Sequence, residues 1–141
     1  MLVLDEQLLG RNLEVLLARW YRGPVLFITE LRPATVIKDE AIPGLLRQQN
    51  SPTFLTINES DFWRKVAIDR HFCVVCFPRP DSQAVEIPDL LRQVFRHQLF
   101  GTKSQRMGKV IRVTRDSISY YSHRDPQVRV VSLSITDFQR T

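Results

Sequence analysis

The chain predicts a three-layer α/β/α fold with a mostly parallel central sheet and antiparallel strands at its C-terminal end. Three observations carry this. Strand-like apolar runs alternate with helix-like periodic segments along residues 1–100. The runs at 25–28, 53–57 and 72–77 are apolar almost throughout, as strands covered on both faces are. The last third changes to short strands around turn residues.

Residues 1–5 read as a short strand ending at Asp5, and residues 7–21 as one amphipathic helix carrying Leu9, Leu13, Leu16, Leu17 and Trp20, stopped by Gly23-Pro24. After the run at 25–28 comes a loop through Pro33. A second helix opens at Lys38-Asp39-Glu40, with Asp39 as N-cap, Pro43 in its first turn and Ile42, Leu45 and Leu46 inward. Ser51-Pro52 breaks it before the third strand. Ser60 is placed to cap a short helix with Phe62, Trp63 and Val66. The fourth strand, closed by Pro78-Arg79-Pro80-Asp81, precedes a helix over 87–99 that turns Ile87, Leu90, Leu91, Val94, Phe95 and Leu99 inward and Arg92, Arg96 and His97 outward. Runs at 110–114, 118–121 and 128–131 read as antiparallel edge strands or a hairpin. No linker divides the chain, so one domain over 1–141 is expected, with its core in 1–100 and basic strands in 107–133.

At 141 residues, 43 % hydrophobic and 25 % charged, the chain has the composition of a soluble globular domain able to bury a core without staples. No apolar stretch reaches the ~20 residues of a membrane span. The start lacks a basic, then apolar, signal, so a cytoplasmic protein with no membrane association is expected. Cys73 and Cys76 lie three apart in a strand, on opposite faces, and are expected to be small core residues in a reducing compartment. There is no P-loop, dinucleotide fingerprint or nucleophile elbow, and His71, His97 and His123 are scattered without partners at metal or triad spacing.

Charge is uneven. Residues 1–91 hold ten Lys/Arg and twelve Asp/Glu, whereas residues 92–141 hold ten and three. Acidic residues gather at Asp5-Glu6, Asp39-Glu40 and Glu59-Ser60-Asp61, each where a strand gives way to a helix or where the following helix starts. In an open α/β sheet those places share the carboxyl edge, where ligands bind. Carboxylates converging there meet the need of a magnesium-dependent phosphodiesterase, in which a cation polarises a phosphate oxygen and activates water. Asp39 and the Ser60-Asp61 pair also have a plain reading as helix caps, and Glu6 and Glu59 as solvated residues. Asp5, ending a central strand, is costly to bury without a partner. The basic residues Arg92, Arg96, Lys103, Arg106, Lys109 and Arg112 could line a flank that grips RNA phosphates, or meet an acidic partner.

The segment Leu4-Asp5-Glu6-Gln7-Leu8 resembles the Asp-Glu-Asn-Leu that ends the first strand of PIN-like domains of the small bacterial, toxin-related branch. Asp39-Glu40-Ala41-Ile42 is similar to that branch's Asp-Glu-x-Ile. Thr56-Ile57-Asn58-Glu59-Ser60-Asp61-Phe62 compares with its Thr-x-Asp-x-Asp-Phe. The resemblance covers residues 1–78 in order and spacing. It implies a Mg2+- or Mn2+-dependent endoribonuclease, with Asp5, Asp39 and Asp61 in the catalytic places and Asp5, Asp39, Glu40, Asn58, Glu59 and Asp61 as the metal-binding set. RNA and an antitoxin protein are the partners implied, with room for a homodimer. Two departures stand out: Asn58 replaces an aspartate, and one extra residue precedes Asp61. A member that binds RNA or protein without cleaving is therefore the alternative. A receiver-like phospho-switch ranks below both, because the aspartate it would need after strand three is Asn58.

Overall fold

A computed structural model describes residues 1–133. It contains one seven-stranded sheet: β1 (Leu2–Leu4), β2 (Val25–Phe27), β3 (Thr53–Thr56), β4 (Cys73–Cys76), β5 (Lys109–Val113), β6 (Ser117–Ser122) and β7 (Arg129–Ser132). The spatial order is β2-β1-β3-β4-β5-β6-β7. The first five strands pair in parallel, and β6 and β7 add in antiparallel. The expected α/β architecture, with its antiparallel C-terminal strands, is what forms.

Alternation along each strand sorts side chains into two cores. On one face Leu2, Leu4, Leu55, Cys73, Val75 and Ile111 pack with α1 (Leu13–Ala18) and α5 (Ile87–Arg96). On the other, Val3, Phe54, Val74, Cys76 and Val110 pack with α2 (Ile28–Leu31), α3 (Ile42–Arg47) and α4 (Glu59–Phe62). Helices therefore cover both faces, and each fully buried Leu, Val or Phe contributes roughly 1.5–3 kcal/mol. Cys73 and Cys76 fall in different cores, as strand periodicity requires.

Several local expectations need correction, among them the loop after residue 28, where α2 forms instead. The single helix over 7–21 is broken into a 3₁₀ turn (Glu6–Leu8) and α1, because Gly10 (φ +79°) and Asn12 (φ +59°) adopt left-handed backbone that stops helix propagation. Trp20 lies beyond α1, set edge-on to Tyr21 and Phe95. Asp39 is not an N-cap: Lys38 takes that place before a 3₁₀ turn (Asp39–Ala41) that leads into α3. The α4 cap is Asn58, not Ser60. Finally, α5 stops at Arg96, and His97 turns inward, 8 % exposed, where its ring packs against Phe100 and accepts a hydrogen bond from the Leu99 N–H. Extended backbone at His97 is the cause.

No helix among the described residues is long and apolar enough to cross a membrane. Phe54 is fully buried in β3, its ring centroid 5.3 Å from that of Phe62. Phe54→Ala is expected to cost about 3–5 kcal/mol in urea unfolding. Burial pushes both thiols up to about 12. Native protein is thus expected to be inert to a thiol-disulfide reagent at neutral pH, with both groups reacting once urea unfolds the chain.

Candidate active site at the carboxyl edge of the sheet

Strand order reverses at β1, whose chain continuation goes to β2 on one side while β3 lies on the other. Between the carboxyl ends of β1 and β3 the helical connections leave to opposite faces and open a crevice. Asp5 immediately follows β1 and stays in the ladder, its N–H donating to the Leu55 carbonyl at 2.9 Å. The parallel register sets Leu4 against Leu55, so Asp5 lies beside Thr56 on the face covered by α3 and α4. The Asp5 carboxylate is 5 % exposed and accepts a 2.6 Å hydrogen bond from the Thr56 hydroxyl. Burial raises its pKa, and the neighbouring Glu6 and Asp61 charges act in the same direction, while the Thr56 bond opposes them.

Asn58 ties this buried carboxylate to the surface. Its N–H donates to the Thr56 oxygen at 2.9 Å. Its side-chain oxygen accepts from the Asp61 N–H and the Ser60 hydroxyl at 3.3 and 3.1 Å, capping α4. Its amide donates to the Asp61 carboxylate at 2.6 Å. That bond, with one from Asp39, holds the Asp61 pKa below its ordinary value.

Asp39 arrives from the start of the turn before α3 and meets Asp61 through a carboxyl–carboxyl hydrogen bond. Desolvation, that bond and the charges of Asp61, Asp5 and Glu40 push the Asp39 pKa up to about 6. Below about pH 6 Asp39 therefore carries a proton beside Asp61, which stays ionised. They border a cleft of about 360 Å³ whose lining also includes Glu40, Pro43, Phe62 and Lys65.

The structure therefore draws Asp5, Asp39, Asp61 and, at the cleft rim, Glu40 together. It directs two other expected ligands elsewhere. Asn58 commits its side-chain oxygen to the cap and its amide to Asp61. Glu59 points to β5, where it forms an ion pair with Arg112. Among the described residues no group of three or more His, Cys, Asp or Glu is placed to hold a metal ion directly. Two carboxylates are nonetheless a sufficient protein donor set for magnesium, which keeps several waters. A pair pressed together until one member keeps its proton to about pH 6 is also a pair whose repulsion a divalent cation relieves.

The six basic residues do not form one flank. Arg92 and Arg96 lie exposed on α5, and Lys103 is exposed on α6 (Lys103–Arg106). Arg106 does not offer itself to a phosphate: it is buried, 3.9 Å over the Phe95 ring, and donates to the Phe100 carbonyl at 2.9 Å. Lys109 is half-buried against Phe100 and Tyr120. Arg112 faces Glu59. Sequence reading did not find the roles of Thr56 and Lys65. Thr56 becomes significant only through the β1–β3 register, and Lys65 only through the turn after α4. The role of Asn58 did carry a signal, the cap spacing Asn58-x-x-Asp61.

Comparison with known proteins finds no family model, no curated protein and no solved structure that matches this chain.

The raised Asp39 pKa has a sign that stability can report. The folded state holds this proton more tightly than the unfolded chain, so the group removes stability as pH rises from 3.8 to about 6. The raised pKa of Asp5 acts in the same direction. Asp39→Asn is expected to flatten the fall in melting temperature over that window; an unaltered pH profile would show that the Asp39–Asp61 contact does not form.

Proposed function

We propose that the protein is a divalent-metal-dependent endoribonuclease acting through Asp5, Asp39 and Asp61. The observation that supports this most is the meeting of the Asp39 and Asp61 carboxyls in one cleft, with the buried Asp5 carboxylate behind them at the switch point of a parallel sheet. The similarity of the three acidic segments to those of PIN-like ribonucleases supports RNA as substrate and an antitoxin as a partner. Two buried, free cysteines suit the reducing cytoplasm, where such an enzyme would meet RNA.

Asp39 and Asp61 would hold a Mg2+ or Mn2+ ion, which when bound polarises a phosphate oxygen and lowers the pKa of an attacking water. Asn58 fixes the Asp61 carboxylate and keeps it ionised, so one donor is ready at neutral pH. Asp39, which keeps its proton to about pH 6, would need to be ionised to hold the cation, so affinity for the cation would rise through about pH 6. Asp5, oriented by Thr56, adds negative charge behind the pair. Lys65 on the cleft wall offers a cation to the substrate phosphate.

A second reading, a binding module of the same fold without cleavage, draws on the commitment of Asn58 and Glu59 to other partners.

The deciding experiment is cleavage of an RNA mixture by the purified protein with magnesium, manganese or EDTA. Cleavage is expected with either ion and absent in EDTA. It should be lost in Asp61→Asn and reduced about 10–100-fold in Asp5→Asn. Equal cleavage by both variants would refute the assignment. A folded protein that fails to cut with either ion yet binds RNA would favour the binding module.

A further inference from the structure

The amino end of β5 and the carboxyl end of β6 form a second groove, of about 440 Å³, on the opposite edge of the sheet from the acid cluster. Among the described residues its lining includes Arg70, Lys109, His123 and Arg124, with the hydroxyls of Ser104 and Ser122, and no carboxylate. Gly108 lies between two of the groove's lining residues, Met107 and Lys109. Its N–H donates to the Phe72 carbonyl and its carbonyl accepts from the His123 N–H, both at 2.8 Å, stitching the segment before β4 to the segment after β6. Its φ of +84° is a glycine conformation, and a Cβ there would sit 2.3 Å from His123 Nδ1 and 3.5 Å from the Arg70 Cα. A side chain at 108 would therefore fill the place where Arg70 and His123 come together.

Among the described residues the groove's cations keep donors for a ligand. Among the described residues neither Arg70 nor Arg124 has a carboxylate or hydrogen-bond partner for its guanidinium. The nearest carboxylates in sequence are engaged elsewhere: Asp69 by Arg47 and His71, and Asp125 by Arg129. The Lys109 ammonium is held over Phe100 and Tyr120 and gives one hydrogen bond, to the Leu99 carbonyl, which leaves two donors. Burial lowers its pKa, a cost that a bound anion would offset. Ser122 accepts from the Asp125 N–H, so its hydroxyl proton remains available.

We infer that this groove is a phosphate-binding site that holds the sugar–phosphate backbone of an RNA strand through Arg70, Lys109 and Arg124, remote from the acidic cleft. Three cations drawn from separate segments, with two hydroxyl donors and no acidic residue among the described residues of the lining, match a backbone phosphate, which needs charge-assisted donors and no base-specific contact. The choice of RNA rests on the ribonuclease reading above; the groove's preference for phosphate does not.

The test uses full-length Asp61→Asn protein in EDTA and follows a labelled unstructured RNA by fluorescence anisotropy across a salt series. Arg70→Glu with Arg124→Glu is expected to weaken binding at least about tenfold and to lower the salt slope by about 0.7 for each phosphate no longer held. Arg19→Glu with Arg22→Glu, an equal charge change at two exposed positions, should leave the slope unchanged. Equal weakening by both pairs would overturn the site, since net charge alone would then explain it. So would a polyglutamate peptide that binds as tightly as RNA and is equally sensitive to the Arg70 and Arg124 changes. Metal-dependent cleavage with RNA binding untouched by that pair would sink the groove and keep the nuclease. Sensitive binding without cleavage by the unsubstituted chain would do the reverse.

Discussion

The parallel pairing of β1 with β3 is the constraint on which the rest depends. It places a three-residue strand inside the sheet, between β2 and β3 and buried on both faces, and sets Leu4 against Leu55. One residue further on, the same register sets a carboxylate beside a threonine hydroxyl. A buried acid that would otherwise be expensive there is oriented and satisfied by Thr56. A slip of one residue would turn Leu2, Leu4 and Asp5 to the wrong faces together. The two apolar cores and the acidic cleft are therefore fixed by one ladder.

Charge in the molecule follows the direction of its strands. Acidic groups collect where parallel strands end and their helices begin, and uncommitted cations gather where β5 begins. The middle of the sheet, occupied by Phe54, Val74, Val75, Val110 and Ile111, is dry and separates them. Arg112 and Glu59 sit near the carboxyl edge as a closed pair, so neither adds an unopposed charge there. Low dielectric between the two edges preserves the contrast that water would screen.

Much of this is legible in the sequence. Apolar runs locate the parallel strands, because strands buried on both faces have little tolerance for polar residues. The convergence of Asp5, Asp39 and Asp61 follows from their places after strands and at the start of a helical segment. What cannot be read is set by partners distant in the chain. Arg106 is indistinguishable from any basic residue until Phe95 is seen beneath it. His97 lies at the helical position of a surface residue, but the helix stops before it and the ring turns in. The break in the first helical segment is signalled by Gly10 and Asn12, whose weight is easily lost against the run of leucines. Asn58 reads as a metal ligand by its place in the acidic segment, whereas its local role is capping.

Asn58 also bears on how this site can change over generations. One residue caps a helix, receives the Ser60 hydroxyl, steadies the oxygen that orients Asp5 and donates to Asp61. An aspartate there would supply the extra acid of the resembled pattern and could still cap. It would also replace the amide donor with a negative oxygen 2.6 Å from the Asp61 carboxylate. Repulsion would then undo what the added ligand offered unless a cation arrived at the same moment. A change to aspartate is a single substitution on paper, and the surrounding hydrogen bonds make it a concerted one.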